Sequence, residues 1–135
     1  MSDRIFLDTN IIIYAHSDVD LIKQNVTQNI ITSQNTVIST QVLQETANVF
    51  HKKSKLPWAL IIETLKDIAY NNVVYINTQE TVLLACTIAD KYHFSFYDSL
   101  IIASAIESDA KILYSEDMQH NQLIENRLRI INPFK

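Results

Sequence analysis

The chain has 135 residues, 47% of them apolar and 19% charged, with a formal charge of −4. That balance excludes a disordered polymer and a uniformly basic nucleic-acid binder, and it suits one folded domain over residues 1–135. Glycine is absent, which removes the P-loop and the dinucleotide fingerprint, since both need glycine where backbone meets phosphate.

Ile5-Phe6-Leu7 runs into Asp8-Thr9-Asn10, an apolar strand ending in an acid, a hydroxyl and an amide. Open α/β sheets bind ligands at the carboxyl ends of their strands, so Asp8 is expected at the lip of a cleft. Ile11 to Ala15 reads as one or two buried helical turns. Asp18 is the expected N-cap of a helix through Thr32, with Leu21, Ile22, Val26, Ile30 and Ile31 at helical spacing. Thr36–Ser39 is the second strand, and Thr40 is expected to cap a helix that carries Glu45 on an otherwise largely apolar stretch. Pro57 opens the next helix from its first turn.

Val73–Ile76 is the third strand, followed by Asn77 three residues before Glu80, the spacing of a reciprocal cap; Thr78 is the weaker candidate. The helix after it carries Cys86, the single cysteine, expected as a small buried hydrophobe. Asp98 falls in the first turn of a helix rich in small residues, where the dipole favours an anion. Lys111–Ser115 is the fourth strand and leads into Glu116 and Asp117; Arg129–Ile131 is the last. With no glycine to end helices, Asn71-Asn72 and Asn121 are the expected left-handed positions. Alternating strands and helices predict a three-layer α/β/α domain with a mostly parallel central sheet. The N-terminus shows no leader pattern and no apolar run spans a bilayer, so a cytoplasmic location with no membrane contact is expected.

In a parallel sheet, Asp8 and Asp117 share one edge, and Glu45 and Asp98 lie on helices that can reach it. Unpaired carboxylates brought together repel until they protonate or a cation enters. Oxygen ligands favour Mg²⁺ or Mn²⁺, and the four histidines show no zinc spacing. Such a centre suits phosphodiester hydrolysis, with Asp8, Glu45, Asp98 and Asp117 as metal-binding and catalytic acids. Thr9 and Asn10 are expected to support Asp8, and Ser115 to support Asp117. Glu116 competes with Asp117 for the cleft, and the hydroxyl-x-acid spacing of Ser115 and Asp117 favours Asp117. Two other functions use the same pattern. A phosphatase acting on small phosphoesters is disfavoured because Asn10 stands where an aspartyl-phosphate enzyme needs a second acid. A non-catalytic binding module is disfavoured by the presence of all four acids.

Phe6–Ile11, the Glu45 helix, Tyr97–Ala105 and Tyr114–Met118 resemble the PIN domain, in particular the VapC-type toxins of prokaryotic toxin–antitoxin pairs. Gln119-His120-Asn121 and Asn132-Pro133-Phe134 resemble a subgroup, with Asn121 where relatives commonly carry glycine. The resemblance implies a Mg²⁺- or Mn²⁺-dependent endoribonuclease acting on RNA, a homodimer, and neutralisation by a small antitoxin. On its pattern Asp8, Glu45, Asp98 and Asp117 match the acidic positions, and Asn10 and Ser115 the polar helpers.

Overall fold

Ile5, Phe6 and Leu7 are buried one after another, so the sheet they belong to is covered on both faces. In the computed structural model, which describes residues 3–135, that strand is β1 (Arg4–Leu7), at the middle of a six-stranded sheet. The helices and strands that follow are α1 (Thr9–Ala15), α2 (Leu21–Ser33), β2 (Asn35–Ser39), α3 (Thr40–Lys52), α4 (Trp58–Asn71), β3 (Val73–Tyr75), α5 (Gln79–Tyr92), α6 (Phe96–Glu107), β4 (Ala110–Tyr114), β5 (Leu123–Ile124) and β6 (Leu128–Ile131). The strand order is β3-β2-β1-β4-β6-β5, parallel except where β5 pairs with β6. This is the mostly parallel α/β architecture expected from the sequence. Among the described residues, no helix is long and apolar enough to cross a membrane.

The order places the functional edge. From β1 the chain builds β2 and then β3 on one side, then crosses to β4 on the other. The crevice beyond the carboxyl ends of β1 and β4 is therefore a topological switch point, where open α/β sheets bind ligands. Asp8 N donates to the Tyr114 carbonyl at 3.0 Å, which extends the β1–β4 ladder up to the functional residues. Leu113 of β4 and Ile101 and Ile102 of α6 are buried with β1 in one continuous core.

Several local expectations need correction. Asp20 rather than Asp18 caps α2, its carboxylate accepting from Lys23 N at 3.1 Å. Ser39 rather than Thr40 caps α3, because strand β2 runs directly into the helix and the last strand residue becomes the cap. At α5 the cap is Thr78, not Asn77. Thr78 and Thr81 satisfy each other's backbone donors, while Asn77 Oδ1 instead accepts from Ser104 Oγ of α6 at 2.7 Å. Cys86 is exposed, because α5 turns Thr81, Ala85 and Ile88 inward and Cys86 falls off that stripe. Asn121 is left-handed as expected (φ 70°), but Asn72 is extended, and the other positive φ values fall on Lys55, His93, Asp109, Glu125 and Asn126.

Candidate active site

Asp8 ends β1 and caps α1. Its Oδ1 accepts from Thr9 N at 2.7 Å and its Oδ2 from Ser115 Oγ at 2.8 Å, so strand and helix together fix the carboxylate. It is 7% exposed, and burial pushes its pKa from 3.8 up to about 6. The two donors oppose that rise; the negative charges of Asp98 and Glu45 add to it. Ser115 is fully buried and also accepts from Met118 N, an arrangement that fixes the turn after β4.

Glu45 is held by two neighbours. Thr9 Oγ1 donates to its Oε1, and Gln41 Nε2 lies 3.5 Å from its Oε2 while reaching the Tyr97 carbonyl at 3.2 Å. Asp98 stands in the first turn of α6, behind the Ser95 N-cap that accepts its backbone N–H at 3.2 Å. Its carboxyl is pushed up first by burial and then by the charges of Asp117 and Glu45, against a lowering hydrogen bond from Ser95. Asp117 accepts from Asn10 Nδ2 at 2.8 Å. These side chains line one open cleft of about 360 Å³, together with Ile13, Asn48, Val49 and Ile101.

The cleft thus contains all four acids expected from the sequence, together with Thr9 and Asn10, while Ser115 stands behind Asp8 rather than beside Asp117. Glu116 does not line the cleft. It points the other way, ion-paired with Lys23 and accepting from Tyr14 Oη at 2.6 Å. Lys23 also lies over the Tyr14 and Phe134 rings, and Phe134 N is tied to Asn132 Oδ1. The Asn132-Pro133-Phe134 tail therefore supports the far side of the Glu116 turn.

Gln41 and Asn48 carry no motif in the sequence, and Tyr97 is marked there only as part of the Tyr97–Ala105 segment. Gln41 and Asn48 stand four residues before and three after Glu45, which is the signal that places them on its helix face.

Among the described residues no lysine, arginine or histidine lines this cleft. Asn10 Oδ1 is buried without a hydrogen-bond partner among the described residues, and every polar side-chain acceptor lining the cleft is an oxygen. That donor set fits a hard divalent cation and not zinc. The carboxylates are spread around the cleft rather than gathered at one point. Among the described residues no group of three His, Cys, Asp or Glu side chains stands as a finished metal site.

Several solved structures share the fold. VapC20 of Mycobacterium tuberculosis, described as a sarcin-ricin loop cleaving toxin, superposes with a TM-score of 0.66 at 18% identity, over 84% of this chain and 89% of that one. VapBC2 of Rickettsia felis, solved bound to a DNA fragment of its promoter, gives a TM-score of 0.67 at 20% identity, over 96% and 99%. No curated protein matches by sequence. The PIN domain model matches residues 5–125, from β1 through β5, so the cleft residues just described all fall inside the match, and the chain belongs to the PIN domain family.

Proposed function

We propose that the chain is a Mg²⁺- or Mn²⁺-dependent endoribonuclease, the toxin of a toxin–antitoxin pair, working in the cytoplasm as a single-domain protein that forms a homodimer. The observation that carries this reading is Asp8, a buried carboxylate at the sheet's switch point, sharing its cleft with three more acids and, among the described residues, no cationic side chain. An ion held by Asp8, Glu45, Asp98 and Asp117 would make hydroxide available from water near neutral pH and offset charge on the phosphoryl oxygens.

The chain's own residues supply the rest. Thr9 N and Ser115 Oγ fix both oxygens of Asp8, so this ligand is set in place before substrate arrives. Glu45, steadied by Thr9 and Gln41, is the carboxylate placed to accept a proton from the attacking water. Asn10 orients Asp117, and the first turn of α6 brings Asp98 to the same cleft. The cleft is open enough to admit a backbone phosphate.

Of these two neighbours, VapC20 is a sarcin-ricin loop cleaving toxin and VapBC2 was solved bound to a DNA fragment of its promoter, which supports a toxin role with an antitoxin partner here. Exposed Leu60 and Ile62 on α4, and Val19, Leu21 and Ile22 around the start of α2, offer apolar surface for protein partners. The test is RNA cleavage by the purified chain with Mn²⁺. Wild type should cut, and Asp8→Asn, folded by circular dichroism, should not. Cleavage retained in Asp8→Asn would overturn the assignment.

A further inference from the structure

We propose that the corner between α3 and α4 is a subsite for the single-stranded RNA flanking the scissile phosphate, with Lys52 and Lys55 on phosphate and the His51–Trp58 pair stacking on a base. This rests on the nuclease reading above and names where that substrate would lie.

The helix geometry makes the link. Gln41, Glu45, Asn48 and Lys52 follow one another at intervals of four, three and four residues, so they form a single stripe along α3. Glu45 and Asn48 of this stripe line the acidic cleft, and the stripe ends at a lysine, two turns or roughly 10 Å past Glu45. A strand of RNA crossing the cleft and following α3 reaches Lys52 next. There a groove is lined by His51, Lys52 and Lys55, all exposed.

The corner is already in shape. His51 and Trp58 stack at 4.0 Å with an angle of 18° between the rings, and Trp58 is 54% exposed. His51 Nδ1 lies 3.4 Å from the Leu56 carbonyl oxygen, and Leu56 N donates to Phe50 O at 3.1 Å, which closes the loop between the helices. Lys55 sits in the left-handed region at φ 57° within that loop. Among the described residues none of Lys52, Lys53 and Lys55 meets a carboxylate. An exposed aromatic platform beside unpaired lysines is the combination that binds single strands without base reading. In a chain of net charge −4 it gives a polyanion a landing place beside an acidic centre. A purely structural role for His51 and Lys52, complementing the carboxyl end of α3, would affect stability and leave RNA binding alone.

The test measures fluorescence anisotropy of a short labelled RNA of mixed sequence, added with Mg²⁺ to the full chain carrying Asp8→Asn, so that the probe survives. In that background Trp58→Ala should weaken binding on the order of tenfold, and Trp58→Phe should retain most of it. Lys52→Gln with Lys55→Asn should lower the slope of log affinity against log salt by about 1.4, two phosphate contacts' worth. Thermal melts confirm that each variant folds; Asn is chosen at position 55 because it tolerates a positive φ. Unchanged affinity and salt slope in folded variants would overturn the subsite, and wild-type enzyme that still cleaves RNA would show that the nuclease reading survives it. Variants that keep RNA binding but lose self-association by light scattering would also overturn it, marking a protein contact instead. No RNA binding by the Asp8→Asn chain, with no cleavage by wild type, would remove both.

Discussion

Replacing Asp8 by asparagine should make the metal-free protein more stable at neutral pH. Burial raises the Asp8 pKa from 3.8 to about 6, so the fold favours the protonated acid. Below pH 3.8 the group is protonated in both folded and unfolded chains and costs nothing. Between 3.8 and 6 the folded state holds the proton that the unfolded chain releases, and stability falls as pH rises. Above 6 the full cost is present, about 3 kcal/mol. Asparagine removes that cost while still accepting from Thr9 N. It turns a donor toward Ser115 Oγ, whose own hydroxyl proton loses its acceptor, at about 1 kcal/mol. The net gain is about 2 kcal/mol, roughly 5–8 °C in melting temperature for a domain of this length. The assay is thermal unfolding in EDTA at pH 7.5 and again at pH 4, where the variant's advantage should vanish and wild type should be equal or slightly more stable, because only the Ser115 loss remains. Asp8→Asn less stable than wild type at pH 7.5 without metal would refute the claim that Asp8 is a carboxylate buried without a counter-charge.

Other substitutions separate the site from its supports. Asp117→Asn should abolish cleavage, whereas Glu116→Gln should keep it and lose only a few degrees of melting temperature, because Glu116 serves the partly exposed Lys23 pair outside the cleft; loss of activity in both variants would contradict that division. Ser115→Ala should cost about 1–2 kcal/mol by denaturant unfolding and lower activity, since buried Asp8 keeps only its Thr9 donor. Thr78→Ala should destabilise by about 1 kcal/mol through loss of the α5 cap and leave the cleavage rate unchanged.

The sheet edge was legible because each apolar strand stops at its first polar residue. Ile5-Phe6-Leu7 ends at Asp8, and Ile112-Leu113-Tyr114 ends at Ser115, and the parallel pairing of β1 with β4 brings the two ends together. Strand order across the sheet is set by tertiary packing, so no local pattern announced that β4 would be the neighbour of β1. Helix starts were harder. Asp18 and Asp20 have the same chemistry two residues apart, and the choice between Asn77 and Thr78 depends on Ser104 of α6, which claims the asparagine. Cys86 lies among apolar neighbours in sequence, yet the phase of α5 is fixed by its packing on α6 and turns the thiol outward. β5, two residues long, is too short to carry any periodicity. Glu116 and Asp117 differ only in the side of a turn they face; Lys23, from α2, holds Glu116 on the far side.

Whether the acidic cleft holds a divalent cation for RNA hydrolysis is decided by cleavage of a defined RNA with Mn²⁺ and with EDTA, in wild type and in Asp8→Asn. Wild type should cut with Mn²⁺ and not with EDTA, and Asp8→Asn should cut under neither condition. Cutting that persists in EDTA, or in the Asp8→Asn protein, would contradict that role for the cleft.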